Sequence, residues 1–463
     1  MATSSVPTYD PQTTAKQLAQ LYIQGRQDLV DAQGKVATAT SSALTKLGGS
    51  LSTFQSVLSS MGTKKSVLAN TATFSSDVGT ATASATASAG TYNFYVEQLA
   101  TAGQVSYGGV TDADSATAGD LTVTLADGTN FVVTLANADK NLDNKISAKE
   151  IAAAINGAAG NNSRVTASTM TINGASTLVL TSAKTGALND VSLDVSGITD
   201  PALAAQLDVS NQTRVVTPQD ASVWVGDPNQ PGSTQLTQAS NTFTVVDGVS
   251  MTFTKAQAVG AAPVTLTVAN DPSGTAANVQ AFVDGWNKLL ATFKDLGDHG
   301  DAAAGKAPAI FASDAGLTTL RNSMATMLRK ASGNESLATF GITLQRDGTL
   351  ALDTARLNKK LAIDPTGLDS VFGNDIAGTG VLGGLSKLMD QWTDTTKGQI
   401  TARKDSNTKL QASITTRQAA LSTQYDNAYK RYLTQFTQLQ ALQSQMSNTG
   451  SIFDALFSKS SDN

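Results

Sequence analysis

Apolar side chains return every three, four or seven residues at both ends of the chain, and every second residue through much of its middle. From Ile400 to Met446 the larger apolar positions are Ile400, Leu410, Ile414, Leu421, Tyr425, Ala428, Tyr432, Phe436, Leu439, Leu442 and Met446. That spacing keeps them on one stripe of a helix. Near the other end Leu44, Leu47, Leu51, Phe54, Leu58 and Met61 do the same over a helix predicted at 41–61. Residues 13–38 predict a separate helix with a sparser face of Leu18, Leu21, Tyr22, Leu29 and Val36, one that orders on assembly. A narrow stripe on a Gln-, Ser- and Thr-rich helix cannot close a core alone and needs a partner helix. The simplest chain path runs out along one helix, through β domains, and back along the other.

The period changes to two at Ala72. Strands are predicted over 71–74, through a Thr/Ala/Ser alternation to Ala89 (a flexible linker being the alternative), and over Thr91–Val96. Leu121–Leu125 and Phe131–Leu135 flank Asp127-Gly128 as a hairpin. A short helix is predicted at 147–157, capped by Asn156-Gly157, with strands at 164–172, 177–182 and 191–195. Further strands fall at 222–225, 242–246, 250–254 and 264–268, and Asn270-Asp271-Pro272-Ser273 closes the β region. The helical period then returns with Val279, Phe282, Val283, Trp286, Leu289, Leu290 and Phe293, followed by helices at 314–331, 353–361 and 381–397 and a hairpin at 340–350.

The predicted class is therefore α+β and multidomain: long terminal helices forming a coiled-coil or helical-bundle leg, with two largely β domains inserted as a head. The expected divisions are 1–40, a terminal helix disordered before assembly and pairing with 430–463; 41–72 with 274–429, a helical rod-like domain; 73–105 with 215–273, a β domain; and 106–214, an inserted outer β-rich domain with one short helix.

Composition removes several functions. Charged residues are 15% of the chain and the net charge is −5, which gives no basic footprint for nucleic acid. No apolar run reaches the length of a membrane span, and residues 1–9 lack the pattern of a cleaved signal peptide. The chain has no cysteine, so no disulfide or thiolate zinc site, and its single histidine, His299, lies in a Gly/Asp loop that reads as a solvated turn. Asp112 and Asp114 read as turn residues rather than as a catalytic pair. No enzyme is expected.

Several stretches, in order along nearly the whole chain, resemble the bacterial flagellar filament-capping proteins, the flagellar hook-associated protein 2 family. They are Asn241–Val249 with Thr265–Asp271, Val279 with Phe282-Val283 and Trp286-Asn287, Leu337 with Phe340–Thr343 and Asp347–Leu350, and Arg431-Tyr432 through Met446. Glu150–Asn156 with Leu178–Ser182 is similar to an insertion module of flagellins. The resemblance implies a ring-forming structural chaperone at the distal tip of the flagellum, small and pentamer-like, that promotes folding and insertion of exported flagellin. The implied partners are further copies of itself, flagellin, the hook–filament junction proteins, and the flagellar type III export apparatus with an export chaperone. The location it implies is secreted and extracellular. The helix-face residues expected to contact partners are Leu44, Leu47, Leu51, Phe54, Leu58, Ile414, Leu421, Tyr425, Tyr432, Phe436, Leu439, Leu442 and Met446. A secreted adhesin and a flagellin-like filament subunit are the alternatives.

One further motif stands apart. Asp139–Glu150 matches the twelve-residue EF-hand loop, with Asp139, Asn141, Asp143, the Lys145 carbonyl, Ser147 and Glu150 at the calcium-ligand positions and Asn144 where glycine is usual. The competing reading is a solvated acidic turn in which Ser147 and Glu150 form a capping box without metal.

Overall fold

The computed structural model describes residues 10–64, 66–330, 335–374 and 377–458; the first nine residues of the segment expected to be disordered before assembly, 1–40, fall outside them. Along the chain the helices are α1 (Pro11–Thr63), α2 (Ala148–Gly157), α3 (Pro201–Leu207), α4 (Pro272–Leu296), α5 (Ala315–Leu328), α6 (Thr354–Ile363), α7 (Gly367–Phe372), α8 (Gly380–Thr393) and α9 (Gln399–Ser458). The strands are β1 (Asn70–Phe74), β2 (Gly79–Ala83), β3 (Gly90–Gln98), β4 (Ala102–Tyr107), β5 (Ala113–Asp114), β6 (Asp120–Leu125), β7 (Asn130–Thr134), β8 (Lys145–Ile146), β9 (Val165–Ile172) and β10 (Ala175–Thr185). They continue as β11 (Val191–Asp194), β12 (Gln212–Val216), β13 (Ala221–Val225), β14 (Thr234–Gln238), β15 (Thr242–Phe243), β16 (Val249–Phe253), β17 (Val264–Asn270), β18 (Ile342–Leu344) and β19 (Leu350–Leu352). The fold is α+β. Two compact units divide it: Met1–Thr63 with Ala276–Asn463, and Lys64–Thr275.

In the helical unit Leu44, Leu47, Leu51, Phe54 and Leu58 are fully buried. Phe54 meets Phe282 and Trp286, with ring centroids 6.0 and 6.2 Å away, and Phe282 meets Phe372 edge-on at 5.3 Å. The Trp286 indole donates to the Gly348 carbonyl, and Asn287 bonds both backbone groups of Leu350, which seats α4 on the β18–β19 hairpin.

The β unit pairs its strands antiparallel throughout the described residues. A five-stranded sheet (β1-β17-β3-β13-β14) and a three-stranded one (β15-β16-β2) share a core around Phe94, Phe243 and Phe253. A four-stranded sheet (β12-β4-β10-β9), a three-stranded one (β11-β6-β7) and α2 and α3 enclose a second core around Tyr107, Phe131, Ile151 and Leu180. The predicted β6–β7 hairpin is present. Gly128 takes φ +85° and Asp127 accepts from the Thr129 amide and hydroxyl.

Four expectations need correction. The two N-terminal helices are one continuous α1, because neither proline nor a cap interrupts 38–41, and Gly48 is tolerated where its missing Cβ would press on Ile400 at 3.2 Å. The buried face of 11–40 is Ala15, Ala19, Ile23, Val30 and Ala37, while Leu21, Tyr22, Leu29 and Val36 point outward. The partner of that segment is chiefly the middle of α9, where Arg26 bonds Gln424 and Arg417 bonds Gln33, while Arg431, at the start of 430–463, stacks on the Tyr22 ring. The outer portion holds two helices, α3 having been missed although Asp200-Pro201 supplies its cap and first turn. The strand expected within 75–89 is present, since β2 pairs with β16 along its length, and the linker alternative falls.

Candidate functional site: the terminal helix pair

The residues singled out for partner contact lie on α1 and α9, which pack antiparallel. Ile23, Val30, Ala37, Leu44, Leu51 and Leu58 stand seven residues apart, as do Ile400, Asn407, Ile414, Leu421 and Ala428 on the facing helix. All are buried, and Ile23, Val30 and Ala37 share one cluster with Ile414 and Leu421, so over this stretch the two rows form one seam of a heptad pair, while Leu51 and Leu58 lie beyond the start of α9. The second seam is polar over the outer half. Arg26 and Gln33, again seven apart, face Gln424 and Arg417 at 2.6 and 3.1 Å. Arg26 and Arg431 also stack on the Tyr22 ring, 5.1 and 5.6 Å from its centroid. Buried Asn407 donates to the Ala37 carbonyl at 3.0 Å, a polar contact that fixes the register. Beside its buried row the outer part of the joint is thus flanked by neutral–cation hydrogen bonds at exposed positions, which add less than apolar packing would.

Beyond Ala428 the α9 stripe grows more exposed. Tyr432 and Phe436 are half-buried, and Leu439, Leu442 and Met446 are exposed, Met446 by 67%. On α1, Tyr22, Leu29 and Val36 form a second row at seven-residue spacing, with Leu29 59% exposed. In the sequence this row reads as a sparse face that orders on assembly; what the sequence does not reveal is that the helix is already seated on its other, alanine-rich face. Each helix therefore carries apolar positions that its own chain does not cover.

The Asp139–Glu150 loop is tightly closed. Asp139 accepts from the Leu142 and Asn144 amides at 2.7 and 2.9 Å, Asn141 from the Asp143 amide at 3.0 Å, and Asp143 from the Lys145 amide at 2.8 Å. Asn144 takes φ +64°, the left-handed conformation that position requires. Ile146 is buried and pairs with Ala113 across β5–β8. Ser147 caps α2 and Glu150 returns to its amide at 3.0 Å, a complete capping box. That Ser147 amide, ahead of the Lys140 and Asn141 amides, holds the Glu150 carboxyl below the usual carboxylate range. Among the described residues no three His, Cys, Asp or Glu side chains converge on one metal position. An ion would be held by Asp139, Asn141, Asp143, the Lys145 carbonyl, Ser147 and Glu150 after their oxygens turned inward. Asp114 caps a short turn by accepting from the Ala116 amide.

The lateral flagellar hook-associated protein 2 of Vibrio parahaemolyticus is 31% identical over 382 residues, covering 81% of this chain and 83% of its own length. The chain belongs to the flagellar hook-associated protein 2 family. The family's N-terminal sequence model matches residues 8–103 and its C-terminal model residues 218–448. The B-type flagellar hook-associated protein 2 of Pseudomonas aeruginosa is 30% identical over 432 residues, 89% of this chain and 88% of that protein. The crystal structure of the D1-D2-D3 domains of the flagellar cap protein FliD from Escherichia coli superposes with a TM-score of 0.59 at 26% identity, covering 79% of this chain and 99% of that one. This is a family of flagellar cap proteins, which decides for the cap against the flagellin-like subunit. The two family models leave 104–217 unmatched, the stretch that contains the Asp139–Glu150 loop.

Proposed function

We propose that this chain caps the distal tip of the bacterial flagellar filament as a small, pentamer-like ring, and that flagellin exported in unfolded form folds and inserts beneath it. The chemistry is non-covalent: binding and release of helices. The observation that carries this reading is the α1–α9 pair. One flank of its seam is polar, and Leu29 and Val36 on α1 and Leu439, Leu442 and Met446 on α9 are exposed, so the pair is suited to hold further helices and to let them go. The partners in this reading are other copies of the chain, flagellin and the hook–filament junction proteins, after delivery by the flagellar type III export apparatus and its export chaperone. The chain then acts outside the cell.

Immunogold electron microscopy of intact flagella, with antibody raised against residues 106–214, tests it. Label confined to distal tips supports the cap; label along the filament or on the cell body alone overturns it. Calcium in the Asp139–Glu150 loop is proposed as a separate stabiliser of the outer portion, on the strength of the ligand spacing and the left-handed Asn144. Calorimetric titration to about millimolar calcium decides it. Heat of binding lost in Asp139→Ala supports the ion, and none in the intact chain leaves the capping box as the loop's whole role.

A further inference from the structure

The β9–β10 hairpin closes through a two-residue turn in which Asn173 and Gly174 take φ +52° and +81°, the primed turn whose flanking residues, Ile172 and Ala175, exchange both backbone hydrogen bonds. Alternation along the ladder then fixes which backbone groups face β10. Thr166, Ser168, Met170 and Ile172 do, and Val165, Ala167, Thr169 and Thr171 direct theirs to the free edge. At two of those four the chain supplies its own substitute for a strand. Asn161, 2% exposed, donates to the Val165 carbonyl and accepts from its amide, both at 2.9 Å. Asn156 does the same at Ala167, both at 2.8 Å. At Thr169 and Thr171 no described residue takes the outward groups. Met170 and Ile172 between and beside them are 52% and 47% exposed.

We propose that this open stretch, Ser168–Ile172, is a strand-pairing surface and that its occupant is the same stretch of a second copy, antiparallel about a two-fold axis at Met170. In that register Thr169 faces Thr171 of the other copy and the reverse, which gives about four backbone hydrogen bonds. Met170 meets its counterpart in a non-hydrogen-bonded pair, where side chains approach most closely. A two-fold contact sets the residue on its axis against its own copy and repeats every other pair twice, so like charge near the axis opposes it. Val165–Ile172 carries none, nor any proline or lysine of the sort that blunts an edge. The other edge of the same sheet, β12, carries Arg214 in a bidentate pair with Asp190 and lacks that neutrality. Asn156 and Asn161 set the length of the contact by closing the edge at Ala167, where the partner's turn would arrive. A ring uses head-to-tail contacts; this two-fold contact goes beyond it and joins copies in twos.

Hydrogen exchange and sedimentation equilibrium of the full chain, over roughly a hundredfold range of concentration, test the proposal. The Thr169 and Thr171 amides are expected to gain protection as concentration rises, whatever the terminal helices do. Met170→Lys, which sets like charges on the axis, and Thr171→Pro, which removes an outward amide, are each expected to weaken this association by about tenfold or more with unchanged circular dichroism. Asn156→Ala with Asn161→Ala lengthens the open edge and is expected to strengthen it; should that variant not fold, Met170→Lys still decides. Exchange at Thr169 and Thr171 independent of concentration, or Met170→Lys behaving as the unmodified chain, overturns the proposal.

Discussion

Ser147 and Glu150 hold the first turn of α2 from both sides. The serine hydroxyl accepts from the Glu150 amide at 3.4 Å, and the glutamate accepts from the Ser147 amide and hydroxyl. Replacing Ser147 by Ala leaves an amide without its acceptor and is expected to cost about 1 kcal/mol. The α2 amides should then exchange roughly fivefold faster. Because the Glu150 carboxyl sits below its usual range in the fold, its contribution is complete above the unfolded carboxylate pKa and is lost as pH falls through the lower folded value. Protection of α2 should therefore decline below about pH 4 in the unmodified chain, with a flatter profile in Glu150→Gln. An unaltered acid profile in that variant would show that the box does not couple to protonation.

At the scale of elements, Asp314 ties two helices of the helical unit together. It caps α5 by accepting from the Leu317 amide at 2.8 Å, and it takes two hydrogen bonds from Arg403 of α9 at 2.8 and 3.1 Å. Burial opposes its ionisation, yet the Arg403 guanidinium and the Leu317 amide together outweigh it and hold the carboxyl below the usual range. Asp314→Ala loses the cap and leaves a partly buried guanidinium on the Trp392 face, 5.2 Å from its centroid. The expected cost is about 2–3 kcal/mol, read as a lower denaturation midpoint of the helical unit. Elements with local signals were legible in the sequence: Asp127-Gly128 names its hairpin, and Ser147 with Glu150 names the start of α2. Strands β4, β12 and β14 were not, because their Gln, Ser and Thr positions take their pairing from distant strands. The face of 11–40 was misjudged because Leu and Tyr were weighted above alanine. The signal that would have found it is the strict seven-residue step through Ile23, Val30 and Ala37 into Leu44. The loop's ligand spacing was likewise readable, whereas the turning of its oxygens onto backbone amides depends on geometry that spacing does not carry.

For the whole molecule, the two rows of α1 separate stability from assembly. Ile23 and Val30 are buried against Ile414 and Leu421, so shortening either to Ala is expected to cost about 1–4 kcal/mol and to reduce helicity by circular dichroism. Leu29 and Val36 make no such packing, and Leu29→Ser with Val36→Ser should change folding stability by no more than about 0.5 kcal/mol at each site. In cells whose only copy carries the double change, the cap reading predicts a chain that is folded and exported but filaments that are short or absent, with flagellin accumulating in the medium. The buried-row variants would give the same filament defect only in proportion to their loss of helix. Filaments of normal length in the double variant would mean that the exposed row has no partner, and the terminal helices would then need another explanation for leaving these side chains in water. Loss of filaments together with loss of helicity would place the defect in folding instead. The two measurements taken together therefore separate a surface kept apolar for assembly from one that merely tolerates exposure.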